Sequence, residues 1–279
     1  MTIKYIDAHC HLQFDQYAHD REEIAKEMKE RGVAGIVVGC NLATSRAAVA
    51  LAEKHEHLYA SIGLHPNNDG DEVFEPAQYR ELAQSPKVVA LGECGLDFFR
   101  PEAVTDALKQ KQKSLLKEHL TLAAELTKPL VIHARPSKGT EDAYLDLIEV
   151  LQEAKEAHPS LSGDIHFFVG SVQSAAALRA IGFTVSFTAV ITFAREYDAV
   201  IGAAPLSSIL SETDAPYVAP LGRRGKRNDP LSVIEVVTKI AEIRGEDRET
   251  VRAALLANTV RLFALPLPEE AAPSLRAPK

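Results

Sequence analysis

Six side chains that can bind a divalent metal ion recur along this sequence, each at the end of a short hydrophobic run. They are His9, His11, Glu93, His133, His166 and Asp214. Imidazole nitrogens and carboxylate oxygens are ligands that ions such as Zn²⁺ and Mn²⁺ take in proteins. Four imidazoles and two carboxylates are enough for two such ions. Because bound metal ions activate water and stabilise developing negative charge, the set predicts metal-assisted hydrolysis.

The spacing of the first two histidines predicts where their side chains point. Residues i and i+2 of a β-strand face the same side, so His9 and His11 are expected to share one site while Cys10 faces a helix layer. Glu93 follows an apolar run, where an unpaired carboxylate is costly to bury, so a cation is expected beside it. The two oxygens of Glu93 suit it to bridge two ions. Asp214 is expected to bind one ion and to accept a proton from the attacking water, which makes Asp214 and Glu93 the predicted catalytic residues.

Alternating strand-like and helical patterns predict the scaffold that positions these residues. The predicted strands are residues 3–7, 35–39, 58–62, 88–92, 130–132, 163–165, 184–187 and 208–210. The predicted helices are residues 21–31, 45–55, 76–84, 106–126, 141–157, 174–181, 195–202, 230–244 and 248–257. Strands that alternate with helices imply a parallel sheet. Since the first and last strands both carry candidate ligands, a closed α/β barrel of the (β/α)8 type is expected, with the metal site at the C-terminal ends of its strands.

Three further residues are predicted to contact substrate. His65 ends the third predicted strand, and Arg135 lies just past the fifth. Arg224 belongs to residues 223–227, which carry four positive charges just after the last candidate ligand. Arginine side chains suit phosphate or carboxylate groups.

The sequence also predicts the positions of several segments and residues around the site. Residues 134–140 are expected to form a longer loop over part of the site, and Asp97 and Arg100 are placed in the loop after the fourth strand. The remaining histidines are predicted to lie on the surface: His19, His55, His57, His119 and His158.

Composition restricts the class of protein. The charged fraction is 25%, the hydrophobic fraction is 46% and the net charge is −8, so a general nucleic-acid coat protein with excess Lys and Arg is excluded. No secretory leader and no apolar run of about 20 residues is evident, so no membrane association is expected. Three cysteines without a C-x-x-C pair fit a reduced cytoplasmic protein. Residues 1–265 are expected to form one domain, followed by a Pro/Ala-rich tail over 266–279.

Several of these motifs in combination resemble the TatD family of metal-dependent hydrolases. The resemblance rests on Asp7-Ala8-His9-Cys10-His11, Gly63-Leu64-His65-Pro66, Gly92-Glu93-Cys94-Gly95, Ile132-His133-Ala134-Arg135, His166-Phe167-Phe168, Glu212-Thr213-Asp214-Ala215-Pro216, Arg224-Gly225-Lys226-Arg227 and Asn258-Thr259-Val260-Arg261. It implies a TIM barrel of the amidohydrolase superfamily, a dinuclear metal site, and phosphodiester hydrolysis, usually as a deoxyribonuclease of the 3'-5' exonuclease type. One metal would be held by His9, His11, Glu93 and Asp214, and the other by Glu93, His133 and His166.

Other chemistries remain open at this point. The same metal-activated water attacks a carbonyl carbon, so ester or amide hydrolysis, such as removal of a D-amino acid from tRNA, is an alternative. A metal-stabilised nucleic-acid-binding or scaffold protein is a second, non-enzymatic alternative. The two ions are Mg²⁺, Zn²⁺ or Mn²⁺, the expected partner is DNA or another phosphodiester, and no obligate protein partner is evident. The sequence contains no G-x-S-x-G elbow, Walker A sequence or G-x-G-x-x-G fingerprint.

Overall fold

Eight parallel strands form one sheet in the order of the chain. The computed structural model describes residues 2–68, 72–100 and 104–266. The strands are β1 Tyr5–Cys10, β2 Val33–Val38, β3 Leu58–Ile62, β4 Val88–Asp97, β5 Leu130–Arg135, β6 Gly163–His166, β7 Phe183–Phe187 and β8 Ile209–Ser211. The helices are α1 Arg21–Arg31, α2 Leu42–Lys54, α3 Pro76–Leu82, α4 Asp106–Leu126, α5 Asp142–Ala157, α6 Val172–Ala180, α7 Asp198–Ala203, α8 Val233–Arg244 and α9 Arg248–Phe263.

The first strand and the segment just after the last strand meet and close the barrel. The backbone N–H of His11 donates to Ala215 O at 2.7 Å, and the N–H of Asp214 donates to His9 O at 2.9 Å. Cys10 and Ala215 form a parallel bridge at the same point. The predicted (β/α)8 barrel is therefore confirmed, and its seam lies directly at three of the candidate ligands, His9, His11 and Asp214.

Alternation along the strands separates two hydrophobic layers. In β2, whose residues are all buried, Val33 and Val37 pack in the larger cluster between sheet and helices. The intervening Ala34 and Ile36 belong to a second cluster that includes Leu256 of α9. Because successive strand residues face opposite sides, one strand serves the helix layer and the barrel interior at once.

The strands that hold the candidate ligands are longer than the hydrophobic runs in the sequence predicted. β4 continues to Asp97, because its residues go on pairing with β5: Gly95 lies opposite His133, and Asp97 lies opposite Arg135. The placement of Asp97 in a loop is therefore wrong, and the loop after β5 begins after Arg135 rather than at Ala134. Glycines and polar residues at the end of a strand resemble turn signals, which explains why the predicted strands end too early in the sequence.

Two of the histidines predicted to lie on the surface are buried. His119 is 0% exposed: its Nδ1 donates to Leu115 O at 2.9 Å, and its Nε2 accepts the N–H of Leu64 at 3.0 Å. His57 is 3% exposed. The expectation failed because a polar side chain can be buried when the fold surrounds it, whereas His19 and His158 are exposed as predicted.

All of the predicted tail except Pro266 lies outside the described residues. Within the part of the chain that the structure covers, none of the helices combines the length and apolar character needed to cross a bilayer.

Gly95 is the point on β4 where a side chain would collide with the neighbouring strand. Its φ is +139°, and a Cβ built there lies 1.9 Å from His133 O. Gly95→Ala should therefore lower the free energy of unfolding by at least about 2 kcal/mol, measured by chemical denaturation.

Gly202 of α7 provides the matched control, since a Cβ there meets nothing within 4 Å. Gly202→Ala should leave stability unchanged or raise it by up to about 1 kcal/mol. Equal stability of Gly95→Ala and the wild type would contradict the close approach of β4 and β5.

Candidate metal centre

The structure brings all six candidate ligands together at the C-terminal mouth of the barrel. His9, Glu93, His133 and His166 lie on their strands, and His11 and Asp214 lie just beyond β1 and β8. Five of the six are at most 9% exposed, and His133 is only partly exposed. Parallel strands direct their carboxyl ends to one edge, so residues far apart in sequence converge there.

Glu93 lies between two pairs of imidazoles and presents a different oxygen to each. Its Oε1 is 3.0 Å from His133 Nδ1 and 2.9 Å from His166 Nε2. Its Oε2 is 3.6 Å from His9 Nε2 and 3.9 Å from His11 Nε2. Two groups able to hold a metal ion, His9/His11/Glu93 and Glu93/His133/His166, therefore share this carboxylate.

Asp214 completes the first of these groups from the other side of the seam. Its Oδ1 lies 3.4 Å from His11 Nε2 and 3.9 Å from His9 Nε2. A further group able to hold an ion is His9, His166 and Asp214. Asp214 has a left-handed backbone, with φ of +53°, which aspartate tolerates better than most residues.

Hydrogen bonds on the outer side of the imidazoles fix which nitrogen carries the proton. His11 Nδ1 lies 2.8 Å from Val38 O, and His133 Nε2 lies 3.0 Å from Asp97 Oδ2. A carbonyl or carboxylate oxygen only accepts, so each of these nitrogens must be a donor. The opposite nitrogen of each ring lies on the side of Glu93 and, when the ring is neutral, can serve there as a metal ligand.

Glu212 plays the same part for His166, and the sequence analysis did not single it out. Its Oε2 is 3.4 Å from His166 Nδ1 and 3.9 Å from His9 Nδ1, while its Oε1 accepts a hydrogen bond from Ser186 at 2.7 Å. Glu212 is fully buried. In the sequence, Glu212 is a charged residue just after a hydrophobic predicted strand, which indicates a possible site residue. Asp214, two residues later, was selected as the candidate ligand instead.

Two more buried carboxylates support the strands below the site. Asp7 accepts hydrogen bonds from the N–H of His9 at 3.2 Å and from the hydroxyl of Thr213 at 2.6 Å, which links β1 to the end of β8. Asp164 accepts from the hydroxyl of Thr184, and its other oxygen lies within hydrogen-bonding distance of Ser186 Oγ. Burial, together with the nearby charge of Glu212, raises the pKa of Asp164 to about 7.

The two candidate ligand carboxylates stay ionised because imidazoles surround them. Burial alone would raise the pKa of Glu93, but the neighbouring His166 and His65 and the hydrogen bonds of His133 and His166 hold it well below its usual value. Burial likewise opposes ionisation of Asp214, and the hydrogen bond from His11 with the nearby imidazoles lowers its pKa. Carboxylate oxygens together with imidazole nitrogens form a donor set that suits divalent cations.

His65 differs from the four candidate ligand histidines in its hydrogen bonding. Its Nδ1 accepts the backbone N–H of Asn67 at 3.0 Å, and burial lowers the pKa of the ring to about 3. The neutral ring therefore carries its proton on Nε2, which lies 3.5 Å from Glu93 Oε1. His65 also lies close to Asp97 and His133. Because its site-facing nitrogen holds a proton, His65 offers the site a hydrogen-bond donor rather than a ligand.

Cys40 is a neighbour of the site that the sequence analysis did not single out. Its thiol donates to Glu93 Oε2 at 3.5 Å and lies 3.7 Å from His11 Nδ1. Cys40 follows the end of β2. A small side chain after an apolar run does not indicate, from the sequence alone, that the residue contacts the site.

The predicted arginine contacts lie at the rim of the mouth. The guanidinium of Arg135 lies 4.0 Å from the centre of the Phe99 ring, and that of Arg224 lies 4.3 Å from the centre of the Phe193 ring. Two other arginines of the cationic run have structural partners, since Arg223 pairs with Asp229 and Arg227 pairs with Asp20. The positive run is thus only partly available to a ligand.

Comparison with known proteins places this geometry in one family. The family profile described as TatD related DNase matches residues 6–264. The chain is 34% identical to the uncharacterized metal-dependent hydrolase YabD of Bacillus subtilis (strain 168), over 93% of this chain and 98% of the relative. It is 32% identical to a protein of Erwinia billingiae (strain Eb661) named 3'-5' ssDNA/RNA exonuclease TatD, over 93% of this chain and 99% of that protein.

A solved structure supports the same assignment. The crystal structure of YjjV, a TatD homologue from Escherichia coli K12, superposes with a TM-score of 0.84 at 32% sequence identity and covers 95% of this chain and all of that one. An uncharacterized amidohydrolase from Saccharomyces cerevisiae shares the fold with a TM-score of 0.76 at 19% identity. From its barrel, its cluster of metal-binding side chains and these matches over nearly the whole length, the chain belongs to the TatD family of metal-dependent hydrolases.

Proposed function

We propose that this protein hydrolyses phosphodiester bonds of nucleic acid, as a deoxyribonuclease of the 3'-5' exonuclease type, with two divalent ions. The observation that carries the proposal is the position of Glu93, whose two oxygens face separate pairs of imidazoles. One ion would be held by His9, His11, Glu93 and Asp214, and the other by Glu93, His133 and His166. The relative from Erwinia, named as an exonuclease on single-stranded DNA and RNA, supports the class of substrate.

The donor set fits such ions. His9 Nε2 and His11 Nε2 lie 3.2 Å apart, and His133 Nδ1 and His166 Nε2 also lie 3.2 Å apart. When the rings are neutral, nitrogens this close together can supply their lone pairs to one cation. Nitrogen and carboxylate ligands suit Zn²⁺ or Mn²⁺, and the carboxylates also suit Mg²⁺. When bound, two ions supply Lewis-acid activation of water and neutralise the charge that develops on a phosphoryl group.

The chain's own residues would then orient substrate and move protons. The carboxylate of Asp214 keeps one oxygen available to accept the proton of the attacking water. The Nε2–H of His65 donates to a non-bridging phosphoryl oxygen, where negative charge accumulates. Arg135 and Arg224, at the rim, bind phosphates of the same strand on either side of the reacting one.

A panel of substrates tests this function directly. Protein reconstituted with Zn²⁺, Mn²⁺ or Mg²⁺ should degrade single-stranded DNA from its 3' end faster than it cleaves D-aminoacyl-tRNA or small carboxylic esters. The initial rate on each substrate is measured at the same protein concentration. A carboxylic ester cleaved faster than every oligonucleotide would replace the proposal by carbonyl hydrolysis.

Two substitutions should affect the two ions differently. Glu93→Ala should weaken both ions, because Glu93 is the shared ligand. In Asp97→Asn, the N–H groups of Phe99 and Arg100 should keep the amide oxygen at the Oδ1 position, so that the NH2 group faces His133 and cannot accept its Nε2–H. The variant should therefore weaken only the ion at His133, by about 10- to 100-fold. Competition with a chelator measures each affinity.

The comparison between these variants decides the assignment. Unchanged affinity for both ions in Glu93→Ala would show that Glu93 is not a bridge. Equal loss of both ions in Asp97→Asn would show that Asp97 supports the whole mouth rather than one imidazole.

Asp214→Asn separates proton transfer from metal binding. Asparagine keeps an oxygen ligand and also tolerates the left-handed backbone at this position, so the fold and most of the metal should be retained. The hydrolytic rate should fall by about 10²- to 10⁴-fold, the usual contribution of a general base. Metal content and kcat are both measured on one preparation of the variant. A kcat close to that of the wild type, with full metal content, would show that another group accepts the proton of the attacking water.

A further inference from the structure

Exposed hydrophobic side chains are concentrated at the end of the barrel that carries the metal-binding cluster. Within the described residues, large hydrophobic side chains that stay exposed are Val73, Phe99, Leu145, Val169, Tyr217 and Leu221. All of these except Leu145, which lies on α5, are in loops that follow the C-terminal ends of strands. A surface that exposes apolar groups at one functional end marks a site of binding.

Two of the exposed residues are aromatic and are fixed to the site by their backbones. Tyr217, which is 46% exposed, donates its N–H to Asp214 O, and its ring lies edge-on to His11 with 6.3 Å between centroids. Phe99, which is 47% exposed, donates its N–H to Asp97 Oδ1. The other oxygen of Asp97 accepts the proton of His133. The two rings thus hold defined positions relative to the candidate ligands.

The two rings belong to different sides of the mouth. Tyr217 stands at the seam of β8 and β1, while Phe99 follows β4, which pairs with β5. In an eight-stranded sheet ordered β1 to β8, these two positions face each other across the barrel. The metal-binding cluster lies between them, so a chain that crosses the mouth would meet one ring on each side of the reacting bond.

Positive charge accompanies the aromatic rings. Arg135 covers Phe99 on one face at 4.0 Å, and Arg224 covers the half-buried Phe193 at 4.3 Å. The protein as a whole has a net charge of −8, so these cations are not part of a generally basic surface. Arginine beside an aromatic ring matches the alternation of phosphate and base along a nucleic acid strand.

This pattern distinguishes nucleobases from an apolar protein partner. A protein–protein interface has a continuous apolar core, whereas here the polar metal-binding cluster separates the two rings. Bases stack on aromatic rings only when they are unpaired and unstacked from each other. The open faces of Tyr217 and Phe99 therefore favour a single strand over a duplex.

We propose that Tyr217 and Phe99 are stacking platforms for unpaired nucleobases on the two sides of the scissile phosphate. This inference rests on the proposed phosphodiesterase function and adds to it the part of the substrate that is recognised. The bases contribute through stacking and not through hydrogen bonds, so the site accepts all four bases.

The test compares a single-stranded oligonucleotide with the same strand carrying abasic residues at the two positions that flank the cleaved bond. In Tyr217→Leu and Phe99→Leu, kcat/KM for the base-containing strand should fall roughly 5- to 150-fold, mainly through KM, and the preference over the abasic strand should shrink. Leu145→Ala, on α5 and 63% exposed, removes exposed apolar surface elsewhere and should change neither value. Metal content of each variant is measured in parallel.

Two results would overturn the proposal. One is an equal loss on both strands in the two leucine variants, which indicates a structural role for the rings. The other is a wild-type enzyme that does not prefer bases over abasic residues. If the wild type cleaves neither strand, the proposed function fails. Fluorescence anisotropy with a labelled oligothymidylate and its abasic counterpart then decides the inference, because stacking requires tighter binding of the strand with bases.

Discussion

The crowding of imidazoles and carboxylates in the mouth of the barrel is the constraint on which the rest of the candidate site depends. Glu93, Asp214 and four imidazoles are crowded into a largely buried space, and two pairs of imidazole nitrogens approach to 3.2 Å. Val38 O, Asp97 and Glu212 accept hydrogen bonds from the outer nitrogens of His11, His133 and His166. The inner nitrogens of these rings are therefore the ones that the proposed ions would use.

The order of strands and the convergence of the six ligands follow from sequence because both depend on local patterns. His133 and His166 end hydrophobic runs, and parallel strands send such ends to one edge. The extension of β4 to Asp97 did not follow, because it depends on pairing with β5 across glycines that resemble a turn. The burial of His119 depends on a backbone N–H more than 50 residues away, at Leu64, which no local pattern contains.

Glu212 illustrates a different limit of sequence reasoning. Its residue type suggests a ligand or a surface charge, but its role is to orient an imidazole from behind, and this role is visible only when His166 and Ser186 are placed around it. The cationic run shows the converse. Four positive charges in sequence suggest one binding patch, yet Arg223 and Arg227 are committed to Asp229 and Asp20 within the fold. Charge in a sequence therefore overstates the charge available to a ligand.

The seam between β1 and the end of β8 has a consequence for how the protein is made. Asp7 binds Thr213 across 206 residues of chain, and His9 and Asp214 meet at the same place. During synthesis the first strand leaves the ribosome long before its neighbour exists, so a growing chain holds only part of the candidate site. Closure of the barrel and completion of the candidate site are then the same event, and the full set of candidate ligands exists only in a chain whose barrel has closed.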